Sequence, residues 1–528
     1  MVICGIVGVT AEFAVAKVAR SAASSACVST AKQPMSVGYR ASTGMQSGPL
    51  RLDDATDAWG ADTPLTGMRA HAIATGDVNR DGWVDVFVGT FADRPVAEYQ
   101  HRGAKAAAPD RLLLGGPSGF RVDDMFPGTR GRTSGAAFGD LDGDGDLDLV
   151  VARNVRASPV GSEPSVVLRN DDGRFTAATT LRDPAGARSV GLFDYDADGH
   201  LDLFVAEDRF AGGSSVLLRG HGDLSFDDVT ERSGIGRDVV GMGVGTGDLD
   251  DDGRPDLFVG GSNRLFLNEG GGRFAESSAG PGAWKVYGDE DDAAGVAEGD
   301  VNGDGRPDIV VGQHYNSTLD DGRKVPVRLY LNEADGDGLV LRDVTDAAGL
   351  VGLPTKSPHV EIVDVDADGR PDIVTTAAGE DGRPVVFRNT GTGRAPVFEP
   401  TSAPGPAQYW VTGAVFDADH DGKLDIVSVE WEPSLPTRFW RNVGQVGHWL
   451  TVEAPTGSTV DVSGVGSDEG RLLASATVGA ATGYSAGPAD RVQFGLGARD
   501  RVRVSVARPG ADPVERSARA DRLLVCRR

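Results

Sequence analysis

Residues 76–89 read GDVNRDGWVDVFVG: Asp77, Asn79 and Asp81 alternate with other residues, Gly82 follows, and Asp85 opens an apolar run. The same pattern begins again at Asp140, Asp194, Asp248, Asp300, Asp364 and Asp417, at successive intervals of 63, 54, 54, 52, 64 and 53 residues. A period near fifty residues, written seven times, marks a chain of like supersecondary units that bury their apolar faces against one another.

With the nonapeptide numbered 1 to 9, side chains at positions 1, 3 and 5 of a tight loop converge on one point. Gly at position 6 permits the sharp turn, position 7 offers its backbone carbonyl whatever its side chain, and Asp at position 9 closes the shell. The candidate ligand sets are Asp77, Asn79, Asp81, Trp83 and Asp85; Asp140, Asp142, Asp144, Asp146 and Asp148; Asp194, Asp196, Asp198, His200 and Asp202; Asp248, Asp250, Asp252, Arg254 and Asp256; Asp300, Asn302, Asp304, Arg306 and Asp308; Asp364, Asp366, Asp368, Arg370 and Asp372; Asp417, Asp419, Asp421, Lys423 and Asp425. Carboxylate and carbonyl oxygens at this density suit Ca2+, up to seven ions, better than the stricter octahedron of magnesium, and zinc would call for His or Cys. The loop is not the twelve-residue, helix-flanked kind with its Glu at position 12. Asp-Gly loops are also ordinary turn chemistry, but a plain turn has no use for an acid at position 9.

The formal net charge is −26. The side-chain ligand positions hold 26 carboxylates, three each in the two Asn-containing loops and four in each of the other five. Seven divalent ions would bring the balance to −26 + 14 = −12, so metal binding is expected to stabilise the fold directly. With no basic stripe to meet phosphates, nucleic acid is excluded as a partner.

Around each loop lie a short strand of small residues and an alternating apolar strand such as DLDLVVA. A third strand reads VVLRN at 166–170, VLLRG at 216–220, LFLNE at 265–269, LYLNE at 329–333, VVFRN at 386–390 and RFWRN at 438–442, and a fourth follows a Gly-rich turn. Four short strands per unit, with no amphipathic helix between them, predict an all-β, seven-bladed β-propeller rather than βαβ units or a solenoid. LRLDDATDAWG at 50–60 matches the fourth-strand segments FDDVTERSGIG at 226–236 and LRDVTDAAGLVG at 341–352 yet precedes the first loop. Residues 50–55 are therefore expected to complete blade seven and cover its open edge. The expected division is a leader or disordered segment at 1–48, the propeller at 49–446 and a small β-sandwich-like domain at 447–528.

These repeats resemble the FG-GAP or VCBS repeats of integrin α-type propellers over about 50–445, and the resemblance implies structural calcium on one face. The tail, with Gly483-Tyr484-Ser485 and Phe494-Gly495-Leu496-Gly497, resembles the ASPIC/UnbV domain that follows such propellers in the cartilage acidic protein family and in UnbV proteins of enediyne antibiotic gene clusters. It departs from that pattern at Val-Gly-Ser near 465 and at Arg508-Pro509.

The N-terminal VICGIVGVTAEFAVA lacks a basic segment before it and is interrupted by Glu12, a poor match to a signal peptide, and nothing beyond it has the length of a membrane span. Cys4, Cys27 and Cys526 lie outside the repeats and are odd in number, so disulfides are not expected to hold the fold. Surface calcium loops fill where calcium is abundant, so a secreted or cell-surface location is expected.

In up-and-down blades the calcium loops share one face and the variable connections share the other, where binding usually lives. Residues 90–110, 277–296 and 313–327 are the long connections there. Trp284, Tyr287, Tyr315, Tyr409 and Trp410 are candidate ligand-binding aromatics, and His314 with the His359 and Glu361 pair are candidate catalytic groups lining an axial pocket. An aromatic entering a strand more often serves blade packing than ligand stacking, and any i, i+2 pair shares a strand face. Three readings stay open: a scaffold binding a protein, glycan or small molecule; an enzyme of lyase, dehydratase or cyclisation type acting on a sugar or polyketide; and an extracellular adhesion module. The oligomeric state is not legible.

Overall fold

The computed structural model describes residues 26–29, 50–159, 161–181, 185–208, 213–279, 293–318, 324–333, 339–350, 358–376, 385–406, 408, 410–479 and 490–527. Among these, strands are grouped in nine four-stranded sheets. Seven are antiparallel meanders that each start with a strand leading into an acidic loop. In blade one the strands are Ala70–Gly76, Asp85–Thr90, Arg111–Leu114 and Arg121–Val122. The second strands are buried along their whole length in five blades, among them Asp85–Thr90 and Asp425–Glu430, which is why they read as unbroken apolar runs. The outer strand Arg174–Leu181 is mostly exposed, burying only Phe175 and Leu181.

The apolar core is divided among the junctions between blades. Phe87 and Leu112 of blade one meet Phe138 and Leu149 of blade two, and like clusters join each following pair. The last unites Val427 and Phe439 of blade seven with Ile73 and Val86 of blade one, closing the ring. Met242, Ala294 and Val411, with Trp431 beside them, form a small separate cluster contributed by the innermost strands and blade seven.

Blade seven takes its outer strand from the start of the propeller: Leu52–Asp54 pairs antiparallel with Arg438–Asn442, Leu52 opposite Asn442. The corner after it explains the repeated Asp-x-Thr. Thr56, Thr230 and Thr345 each donate their N–H to the Asp two residues earlier, and each hydroxyl accepts the N–H of a third-strand residue, Phe439, Leu217 and Leu329.

The remaining two sheets share one core containing Leu450, Val462, Phe494, Val504 and Leu524. One of them corrects an expectation. Ala26–Ser29 lies antiparallel to Arg522–Arg527, with Cys27 opposite Cys526, and the two cysteines form a disulfide across 499 residues of sequence. A disulfide does hold this fold, because four residues of the supposed leader segment form an edge strand of the C-terminal domain.

Candidate metal centres on the loop face

Each acidic loop spans the gap between first and second strands, and its backbone carries two left-handed residues. Position 6 is glycine throughout, with φ from 83° at Gly422 to 96° at Gly82. Position 4 is also left-handed although five of its seven residues have a side chain: Arg80, Ala197, Asp251, Ala367 and His420. The side chains of positions 1 and 3 converge with position 9 in four loops and with position 5 in loop two. The position 1 carboxylate fixes the turn, as when Asp194 Oδ2 accepts Gly199 N–H at 2.9 Å and Oδ1 accepts Asp198 N–H at 3.1 Å.

Position 9 does more than close a shell. In all seven loops one oxygen accepts the N–H of position 2, at 2.9–3.2 Å. The other accepts an N–H from the end of the third strand, at 2.7–2.9 Å. These aspartates are 0–1% exposed and tie loop, second strand and third strand together, leaving a second lone pair on each oxygen for a cation. Burial pushes Asp85, Asp202 and Asp256 up to about 8 and Asp148 to about 7, against the pull of the two N–H groups and with the neighbouring loop carboxylates adding to the rise.

In five loops three carboxylates bring one oxygen each within 4.8 Å of one another: Asp140, Asp142 and Asp144; Asp194, Asp196 and Asp202; Asp248, Asp250 and Asp256; Asp364, Asp366 and Asp372; Asp417, Asp419 and Asp425. The donor set is all oxygen. At position 3, Asp196 Oδ1, Asp250 Oδ1, Asn302 Oδ1 and Asp366 Oδ1 are buried and accept no hydrogen bond. Acceptors left bare inside rings of carboxylates are what a hard cation would satisfy, so the residues fit calcium.

Arginines brace the rims. Arg219 spans Asp196 and Asp198, each at 2.7 Å, and Arg169 spans Asp142 and Asp144 at 3.1 and 3.2 Å. The position 7 side chains are not indifferent: Arg254, Arg306 and Arg370 each bond a third-strand asparagine carbonyl and the position 5 carboxylate, while Trp83 stacks on His420 with ring centroids 4.1 Å apart. Sequence reasoning also missed the third-strand asparagines. Asn170, Asn268, Asn332, Asn389 and Asn442 each donate Nδ2–H to the position 2 carbonyl of the preceding blade's loop, at 2.7–2.9 Å. The recurring Asn at the end of LRN and LNE was the available signal.

At the opposite ends of the innermost strands the candidates separate. His359 Nε2 lies 2.8 Å from Glu361 Oε1, and both side chains are buried. His314 is half-buried and stands near enough to His71 to help lower it; burial is the first cause of that fall and Arg188 the second. Trp410, a proposed pocket wall, is 1% exposed and packs edge-on against Trp440 at 5.6 Å in the core between blades six and seven, so it is a packing residue. Trp284, Tyr287 and Tyr409, and the side chain of Tyr315, lie outside the described residues. Unforeseen in the sequence is a basic and aromatic group: His71 stacked on Phe91 at 4.3 Å, Arg132 over Phe91 at 4.2 Å, and Arg69 over Trp431 at 4.9 Å. Its arginines are paired with Asp93, Glu98 and Glu432.

The C-terminal domain rests on the acidic loops. Gly447 and Gly497 donate N–H to the carbonyls of Asp366 and Ala367, both at 3.0 Å, and a Cβ on Gly495 would overlap the Asp364 carboxylate. The glycines of Phe-Gly-Leu-Gly are thus demanded by close approach to loop six.

Ring, blades and loops together define a β-propeller-like protein of FG-GAP repeats. The model of the FG-GAP-like repeat family matches residues 140–205, 194–259, 260–311 and 364–428, a span containing the second to seventh acidic loops. The chain is homologous to cartilage acidic protein 1: it is 25% identical to the Mus musculus protein over 418 residues, 72% of this chain and 61% of the relative, and 25% identical to the Homo sapiens protein over 412 residues, 72% and 60%. It therefore spans about three fifths of the length of these curated relatives. Among solved structures, a fungal alcohol oxidase of the AA5 family in complex with copper aligns at a TM-score of 0.45 and 12% identity, covering 90% of this chain and 99% of that one.

Proposed function

We propose that this chain is a calcium-stabilised propeller scaffold that recognises a partner on the face turned away from its acidic loops. The observation that carries the reading is the convergence of three carboxylate oxygens in each of five loops, with bare inward oxygens at position 3. Asp, Asn and backbone oxygens of the loops would hold the ions, and the ions would supply the positive charge that these crowded carboxylates lack. The C-terminal domain covers part of the loop face, which favours the opposite face for a protein, glycan or small molecule. The variable connections on that face would supply the contacts.

The Cys27–Cys526 disulfide supports an extracytoplasmic location, since such bonds persist in oxidising compartments. No helix among the described residues is long and apolar enough to cross a membrane. The likeness of the tail to UnbV proteins extends the proposal to a supporting part in enediyne-type biosynthesis, which a polyketide synthase gene nearby would favour. Elemental analysis of protein dialysed against calcium tests the core of the reading. At least five calcium ions per chain are expected from the loops, and a metal-free protein would overturn it.

A further inference from the structure

The first loop differs from the others in its neighbour. Arg491, on the C-terminal strand Arg491–Gly497, is 7% exposed and sends its guanidinium into this loop. Nη2–H donates to Asp77 Oδ2 at 2.9 Å and Nη1–H to the Gly82 carbonyl at 3.1 Å, with Glu453 Oε2 at 3.1 Å on the other side. Two residues on, Gln493 Nε2–H donates to the Gly422 carbonyl of loop seven at 3.0 Å. Gly82 and Gly422 occupy the same position of loops one and seven, so alternate residues of one strand grip equivalent carbonyls on the two sides of the seam where the ring closes.

At five junctions an asparagine side chain ties a blade to its predecessor's loop, whereas blade three carries Gly220 and blade one Gly115 at the equivalent place. At the seam Trp83 stacks on His420 and Arg69 pairs with Glu432, and Arg491 and Gln493 add a tie from outside the ring. The first loop is also poorer in charge, with Asn79 in place of an aspartate. Calcium affinity follows ligand charge, and a guanidinium is always charged. A calcium ion and Arg491 on one carboxylate would repel each other in surroundings of low effective dielectric.

Resting on the calcium reading of the loops, we propose that loop one is a latent calcium site whose cation in the assembled chain is Arg491, and that the C-terminal domain is thereby the clasp across the propeller's seam. Asp77 Oδ1 is buried without a hydrogen bond, so the cage itself remains and calcium enters when the guanidinium leaves.

Two measurements test this. The first is the calcium count of matched position 5 variants dialysed against the same free calcium. Asp198→Ala in loop three should lose one ion, Asp81→Ala in loop one should lose none, and Arg491→Gln should gain one that Asp81→Ala then removes. Loss of an ion from Asp81→Ala alone would overturn the proposal, whereas an unmodified chain without calcium would overturn the calcium reading instead. The second is a double-mutant cycle in calcium-stripped protein. Arg491→Gln and Asp77→Asn should each lower the melting temperature by about 5 °C and together by little more. Additive losses would overturn the clasp whether or not the loops bind metal.

Discussion

At the scale of the residue, position 9 and position 3 are both aspartates in five of the loops, and they do different work. Asp256 accepts backbone N–H groups at both oxygens, from Leu249 and Asn268, whereas Asp250 leaves Oδ1 bare. Asp256→Asn sets an amide donor against one of those N–H groups and should cost about 2–3 kcal/mol with or without calcium. Asp250→Ala should change the stripped protein by less than about 0.5 kcal/mol and lower stability only in calcium. Urea unfolding of both variants in the two conditions checks the contrast. The spacing of these carboxylates and the glycine at position 6 were legible because local backbone geometry dictates them. The left-handed residue at position 4 was not, since Arg80, Ala197 and His420 share no side-chain signature. Nor was the burial of Trp410, which depends on the neighbouring blade.

At the scale of the element, each loop is a nest of buried acids whose folded form resists ionisation. Burial holds Asp85, Asp202 and Asp256 near 8 and Asp77, Asp194 and Asp248 near 6, above their ordinary value of 3.8. Without metal the folded chain therefore binds more protons than the unfolded chain between about pH 4 and 8. The contribution of these groups is present below the unfolded value and is lost as pH rises through the folded ones. Calcium-stripped protein should melt at lower temperature at pH 8 than at pH 5.5. Calcium requires the deprotonated carboxylates, so its stabilising effect should grow over the same interval, and melting curves at the two pH values with and without the ion read both trends. The blades themselves were legible from alternation and turns. The asparagine ties between them were not, because their partners lie 73 to 92 residues away, in the preceding blade.

At the scale of the whole molecule, the chain is fastened three times. Leu52–Asp54 completes blade seven, Arg491 and Gln493 grip the seam, and Cys27–Cys526 ties an N-terminal strand to the last one. The cysteine pairing was hidden from sequence reasoning because an odd count and a weak leader pointed outside the fold, and only the register of Ala26–Ser29 on Arg522–Arg527 reveals it. Reduction should release that edge strand. Hydrogen exchange at Leu524–Arg527, the residues opposite that strand, should accelerate while the inner strands of blades two to five stay protected, as local opening allows. The docking of the C-terminal domain on the loops was foreshadowed only by the glycines of Phe494–Gly497. The central claim is that the acidic loops are cation cages that pin neighbouring sheets, and calorimetry of one preparation, calcium-loaded and calcium-stripped at pH 7.5, tests it most directly. The loaded protein should unfold more than about 10 °C higher, since several sites each add binding energy that the unfolded chain lacks; superimposable traces would contradict the claim.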